Sequence, residues 1–130
     1  MIIKMRATVY YVVNTSLGMS AGKIAAQCCH VNTDIIRSML KTSKLPKIYL
    51  SWKSTGETTV VLGADEEQFN AIFEEFKDQK VDSSFRVPHM RYQTDAGRTE
   101  VKPGTITVLG FTPMFKHEAP ECIKSLKTFK

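Results

Sequence analysis

A run of seven residues, ATVYYVV at positions 7–13, constrains the fold of this chain more than any other segment. Its β-branched and aromatic side chains follow one another without a regular polar alternation. A strand of this kind is buried on both faces, so its sheet must be covered by a packing layer on each side. The apolar run is too short to cross a bilayer, and no small-residue cleavage pattern of a signal peptide follows it. We therefore expect a central strand and no membrane segment.

A helical pattern begins near Ser20 and ends before Pro46. Its apolar side chains recur at steps of three or four and form one stripe: Ile24, Cys28, Val31, Ile35 and Met39. The polar side chains also keep helical spacing: Lys23, Gln27, His30, Asp34, Arg37 and Lys41. This pattern predicts a helix that packs one side on the sheet and exposes the other.

The remaining segments predict three strands and two helices. The expected strands are residues 58–63, 83–87 and 105–109, the last with Ile106 and Val108 on one face and Thr105 and Thr107 on the other. Asp65 and Gln68 form a capping box for a second helix, and Pro120 opens a short terminal helix. The order β-α-β-α-β-β-α indicates an α/β fold, a three-layer sandwich with a mixed four-stranded sheet flanked by helices. We expect one domain over residues 1–130.

Charge is distributed unevenly along the chain. Residues 1–56 carry a net charge of +7, residues 57–82 carry −6 and residues 83–130 carry +4. One basic face that binds a polyanion is one explanation, and lysine-rich solubility is the other. The three cysteines are an odd number with two adjacent in a helix, which indicates a reducing compartment and no disulfide framework. The spacing of CCH at 28–30 is unsuited to zinc.

Lys23 stands in the first turn of the predicted helix, where the helix dipole disfavours a cation. Gly22 beside it also weakens the helix. Two unfavourable choices together suggest that the ammonium and the first-turn N–H groups face an anion. A solvated lysine on a polar face is the alternative. GMSAGK is not a P-loop, because Ile24 stands where Ser or Thr would bind magnesium.

A second polar segment, TDAGRTEVKPGTITVLG at 94–110, precedes and includes the last long strand. Asp95 before Ala-Gly is typical of a turn, and threonine is a common strand residue, so each part has a purely structural explanation. His30 lies two helical turns beyond Lys23, which would align it with Gln27 along one side of the helix.

Two segments, AGKIAAQCCH (21–30) and DAGRTEVKPGTITVLGFTP (95–113), together closely resemble the type 2 peptidyl-tRNA hydrolases. That family shows the patterns GKxAAQxxH and DAGxTxxxPGTxTVLGIGP. KMRATVYYVV at the start, Trp52 and Gly56 extend the likeness more loosely, so that it covers nearly the whole chain.

The resemblance implies a cytoplasmic α/β enzyme that hydrolyses the ester between a peptide and the 3′ end of tRNA and so recycles the tRNA. It implies peptidyl-tRNA as partner, a homodimer, no membrane, and neither metal nor cofactor. The catalytic residues that it implies are Lys23, His30, Asp95, Thr99 and Thr107. The substrate-binding residues expected beside them are Gly22, Gln27, Arg98 and Thr105.

In this interpretation Asp95 orients or deprotonates the attacking water, with Thr99 as an intermediary. Lys23 either stabilises the oxyanion or holds the phosphate of the terminal nucleotide, and the sequence favours neither role over the other.

The chain departs from the family pattern after the first strand. Members often have an arginine and an aspartate where this chain has Asn14 and Ser16, and two lysines where it has Gly18 and Ser20. If the absent cations contacted phosphates, affinity for tRNA and its salt dependence would fall. A second interpretation therefore stays open: a catalytically weak relative that binds RNA or a protein. A third is hydrolysis of another acyl ester or amide on the same fold.

Overall fold

The computed structural model describes residues 5–80, 82–95 and 101–130. Within these ranges the helices are α1 (Ala21–Leu40), α2 (Lys47–Ser54), α3 (Glu66–Phe76) and α4 (Glu121–Lys124). The strands are β1 (Ala7–Asn14), β2 (Thr59–Ala64), β3 (Met90–Thr94), β4 (Ile106–Phe111), β5 (Met114–Phe115) and β6 (Lys127–Thr128).

The strands form one mixed sheet in the order β3-β4-β1-β2-β6, and β5 pairs with the first residues of β1. The β1–β2 pair is parallel, and every other pair in the described part of the sheet is antiparallel. The α/β class and the mixed sheet flanked by helices are confirmed. The described sheet has six strands where four were expected, because β5 and β6 are two-residue strands without a hydrophobic pattern of their own.

Alternate residues of β1 enter two separate hydrophobic cores, as the prediction of a strand buried on both faces requires. Val9, Tyr11 and Val13 pack with α1 and α2, whereas Tyr10 and Val12 pack with α3 and α4. Gly110 of β4 lies directly under α1, where a Cβ atom would stand 2.3 Å from Cγ1 of Val31. The sheet is therefore the middle of three layers.

The strand predicted at 83–87 is wrong, since this segment forms turns and the strand begins at Met90. The Asp82 carboxylate accepts hydrogen bonds from the N–H and the hydroxyl of Ser84 and from the N–H of Arg86. These bonds curl the chain, and Phe85 adopts a left-handed φ of 57°, which no extended strand tolerates.

The starts of helices α3 and α4 follow local sequence signals. The capping box of α3 is confirmed, with Asp65 and Gln68 exchanging backbone and side-chain hydrogen bonds. Pro120 precedes α4 as its N-cap and is not its first helical residue. Helix α2 was not predicted, because its buried side chains are only Tyr49 and Trp52, too few to establish a period.

A bulge in β4 breaks the alternation predicted for residues 105–108. Gln93 pairs with Val108 and Thr94 pairs with Ile106, which leaves Thr107 as an extra residue on β4. In consequence Ile106 and Val108 lie in opposite cores, contrary to prediction. Thr107 faces α1, where its hydroxyl meets Gln27.

The surroundings of His89 predict that stability depends on pH. Its buried imidazole accepts a hydrogen bond at Nε2 from the N–H of Asp82 (3.2 Å) and lies against the ring of Phe85, tilted by 39°. Burial lowers the pKa of His89, while the Asp82 carboxylate opposes that shift and Arg91 adds to it. The folded state disfavours the protonated ring. The neutral ring therefore contributes fully to the free energy of unfolding above the unfolded pKa of about 6.5, and this contribution is lost as the pH falls through the lower folded pKa.

We expect the free energy of unfolding, measured by urea titration, to fall from pH 7.5 to pH 5 in the wild type. The His89→Gln variant keeps an acceptor without a titrating ring and should show a smaller fall. An equal fall in both proteins would contradict the assignment to His89.

Candidate active site

An ion pair joins the first turn of α1 to the residue that follows β3. The ammonium of Lys23 donates a hydrogen bond to the carboxylate of Asp95. The two side chains are 13% and 3% exposed, so the pair is largely withdrawn from solvent. The N–H of Asp95 donates to the Thr105 carbonyl and its own carbonyl accepts from the N–H of Gly104, both at 2.9 Å. These backbone bonds hold the carboxylate in place against the helix.

A second polar contact lies one turn further along α1. Gln27 is 3% exposed, and its Nε2 donates to the Thr107 hydroxyl at 2.7 Å. The Thr107 hydroxyl in turn donates to the carbonyl of Gln93 at 3.3 Å. The chain of bonds therefore runs from α1 through the bulge of β4 to β3 and fixes the orientation of the Thr107 hydroxyl.

Both contacts lie at the edge of the sheet where β1 ends. Because β4 runs antiparallel to β1 and Val13 pairs with Val108, the start of β4 stands beside the carboxyl end of β1. The α1 helix begins at the same edge after the turn at Thr15–Leu17. Ligands of open α/β sheets bind at such an edge, and the positive end of a helix dipole faces it here.

The sequence pattern placed Lys23 and Gln27 on an exposed polar side, and this was wrong. The residues at steps of four from Lys23 through Gln27 to Val31 all turn toward β3 and β4, so the sheet-facing row of α1 is polar in its first two turns. His30, by contrast, is exposed. A helical period assigns residues to faces only by their polarity, and here the buried face itself contains polar residues.

The other site residues implied by the resemblance occupy varied surroundings. Gly22 is exposed with no atom within 4 Å of a Cβ placed on it, and Thr105 is half-buried just before β4. Arg98 and Thr99 lie outside the described residues. Gln93, whose carbonyl accepts the bond from Thr107, was missed because the bulge that brings the two together leaves no mark in the sequence.

The model of a known family, peptidyl-tRNA hydrolase PTH2, matches residues 7–129. The chain belongs to this family. A peptidyl-tRNA hydrolase of Methanococcus vannielii is 32% identical over 117 residues, which cover 89% of this chain and 93% of that protein. The probable peptidyl-tRNA hydrolase 2 of Dictyostelium discoideum is 32% identical over 122 residues, 91% of this chain and 52% of that protein. A human protein named mitochondrial peptidyl-tRNA hydrolase 2 is 34% identical over 103 residues, 78% of this chain and 52% of that protein.

The four departures from the peptidyl-tRNA hydrolase pattern all have structural roles in the β1–α1 loop. Asn14 Oδ1 accepts bonds from the N–H (3.1 Å) and the hydroxyl (2.6 Å) of Ser16. Gly18 takes a left-handed φ of 60°, which favours glycine, and Ser20 caps α1 by accepting from the N–H of Lys23. The loop has hydrogen-bonding and capping residues at the positions where the resemblance led us to expect charged ones.

The thiol of Cys28 is half-buried on α1 of this PTH2 family member. Burial, with a smaller contribution from Cys29, raises the pKa of Cys28 to about 11, so Cys28 is a neutral thiol at physiological pH. Residues 5–80, 82–95 and 101–130 contain no group of three His, Cys, Asp or Glu side chains placed to bind a metal ion. Across the same ranges, no helix has the length and apolar character needed to cross a membrane.

Proposed function

We propose that this chain, as a member of the peptidyl-tRNA hydrolase PTH2 family, hydrolyses the ester of peptidyl-tRNA at the Lys23–Asp95 site. The observation that carries the proposal is the buried ion pair itself. Lys23 and Asp95 are 72 positions apart in the chain, yet the fold brings them together at the edge where α1 begins. A buried pair is costly to form, so its position beside a helix N-terminus and two ordered polar contacts favours chemistry over stability as its purpose.

The proposed reaction needs an acceptor for a proton and a donor for an oxyanion. Asp95 takes a proton from water as the water oxygen attacks the ester carbonyl carbon. Lys23 and the first-turn N–H groups of α1 stabilise the oxyanion. The bond between this carbon and the 3′ oxygen of the tRNA then breaks, and the proton passes from Asp95 to that oxygen. Thr107 is fully buried and acts indirectly, since its bonds to Gln27 and Gln93 fix α1 against β3 beside the ion pair.

A catalytically weak relative that binds RNA is the second candidate, and the β1–α1 loop is the observation that favours it. Where other members carry cations, Gly18 and Ser20 serve the backbone. The two candidates differ in turnover, because a binding module retains tRNA without releasing the acyl group. Measuring tRNA affinity and release of N-acetylated amino acid from the same protein preparation distinguishes them: binding without release would exclude the enzyme.

A lysine restored at position 20 should strengthen tRNA binding. If Ser20→Lys adds one phosphate contact, a plot of the logarithm of the association constant for tRNA against the logarithm of the salt concentration should become steeper by about 0.7–0.9. Loss of the Ser20 cap should lower the free energy of unfolding by about 1 kcal/mol. The matched control is Thr33→Lys, which adds the same charge at an exposed position on α1. Equal salt slopes in both variants would show that residue 20 does not face the tRNA.

Three further expectations accompany the proposal and stay predictions: direct binding of the tRNA body by the basic surface, a homodimer, and a cytoplasmic location. Analytical ultracentrifugation tests the second, and microscopy of the tagged protein tests the third. That residues 1–130 act as one domain is likewise a prediction.

A further inference from the structure

A groove of about 930 Å³ lies at the opposite end of the sheet from the Lys23–Asp95 site. We name it the β5 groove. It is bounded by the α1–α2 loop with the start of α2, by residues 83–88, and by β5 with its flanking residues. Because β5 pairs with Ala7 and Thr8 at the start of β1, the groove is separated from the active-site edge by the length of β1, about 23 Å. The proposed hydrolysis makes no use of it.

The floor of the β5 groove is apolar and well formed. Phe85 and Met114 are each 3% exposed and form its base, while Leu45 is 39% exposed at its side. The left-handed φ of Phe85 places this ring in the floor, against His89. A bulky residue is strained in that conformation, so the shape of the floor is maintained against backbone strain.

The apolar surface continues beyond the groove into a second depression. This depression is lined by Met5 and Leu50, which are 49% and 47% exposed, and it shares Phe115 with the groove. Three of the six large apolar side chains that are exposed among the described residues therefore line the two depressions, the pattern of a binding surface.

The rim of the β5 groove is basic. Lys44, Lys47 and Arg86 line it and are exposed, and no carboxylate of the described residues lies within ion-pair distance of them. Glu118 is the one acidic residue in the lining, and it stands 3.4 Å from His117. Three unpaired cations around an apolar floor are complementary to an occupant that carries both negative charge and apolar side chains.

We propose that the β5 groove binds a peptide segment of a partner protein in which acidic residues alternate with large apolar ones. A paired RNA would contact the cations through its phosphates but would leave the apolar floor of Phe85 and Met114 without a partner, because the surface it presents is phosphate and ribose. In a second copy of this chain the densest group of acidic residues is on α3 and its flanks. The apolar side chains of that helix, Phe69, Ile72 and Phe76, are already buried in its own core.

Selection of peptides tests this proposal directly. The full-length protein is immobilised and challenged with a phage-displayed library of random 12-residue peptides. Enriched sequences should combine Asp or Glu with Leu, Ile, Phe or Trp. A synthetic peptide from the enriched set should then bind the Lys47→Glu/Arg86→Glu protein with an affinity at least ten-fold lower than that of the wild type. The Leu45→Ser protein should also bind this peptide more weakly. Lys127→Glu/Lys130→Glu, with the same charge change outside the groove, should bind as the wild type does.

Thermal unfolding of each variant shows that the fold is intact, since all five positions are at the surface. Absence of enrichment, enrichment of peptides without acidic residues, or equal binding by both double variants would overturn the proposal. The proposal would also be overturned if Lys47→Glu/Arg86→Glu lowered the affinity for tRNA but not the affinity for the peptide. That result would assign the groove to RNA. A concentration-dependent dimer abolished by the same variant would assign it to a second copy.

Discussion

Replacing Lys23 by methionine is expected to lower kcat/KM for N-acetylaminoacyl-tRNA about 100- to 1000-fold, the loss typical of removing one oxyanion donor. Methionine keeps the length of the side chain and removes its charge. The control is Lys41→Met, which removes a lysine at the other end of α1, where the side chain is exposed. This control should retain the activity of the wild type.

The same substitution should also destabilise the protein, because it leaves the carboxylate of Asp95 buried without its ammonium partner. Breaking a buried ion pair from one side costs about 3–5 kcal/mol in the free energy of unfolding. The double variant Lys23→Met/Asp95→Asn has no uncompensated charge, so we expect part of the stability to return. Activity should not return with it. Recovery of both together would mean that the pair serves stability alone.

Replacing Gly110 by alanine is expected to produce the largest change in stability outside the site. The added Cβ would stand 2.3 Å from Cγ1 of Val31, 2.9 Å from Cδ1 of Ile35 and 3.1 Å from Cδ1 of Tyr11. Val31 is β-branched and cannot turn away, so α1 must shift from the sheet. Overpacking of this kind costs about 1–3 kcal/mol, sometimes more, in the free energy of unfolding.

Gly22→Ala is the matched control for this prediction, because a Cβ at Gly22 meets no atom within 4 Å. Its free energy of unfolding should lie within about 1 kcal/mol of the wild type, on the stabilising side. Urea titration of the three proteins gives the comparison. A Gly110→Ala protein as stable as Gly22→Ala would show that α1 does not pack on β4 as closely as described.

Local signals in the sequence account for much of the fold. The apolar run of β1 predicts a strand buried on both faces, and Asp65 with Gln68 predicts the start of α3, because each signal depends on residues a few positions apart. The turn at 82–86 is only partly of this kind, because the bonds of Asp82 to Ser84 and Arg86 are local but the conformation of Phe85 is not. Phe85 takes its left-handed conformation because its ring is buried beside His89, which is a tertiary contact.

The candidate site also depends on tertiary contacts that local sequence signals do not reveal. No periodicity links Lys23 to Asp95; only the likeness of two motifs to one family suggests that they meet. The bulge at Thr107 depends on the pairing of β3 with β4, and it turns a residue expected on a regular strand toward Gln27. The polar residues on the buried row of α1 make sense only once these partners are in place.

The most direct test of the proposed function is a single-turnover assay of N-acetylaminoacyl-tRNA with an excess of the wild-type protein or of Asp95→Asn. Asparagine keeps the shape of the side chain and removes the proton acceptor. We predict release of the N-acetylated amino acid by the wild type and a rate at least 100-fold lower for Asp95→Asn, with both proteins folded. Equal release by both, or none by the wild type, would contradict hydrolysis at the Lys23–Asp95 site.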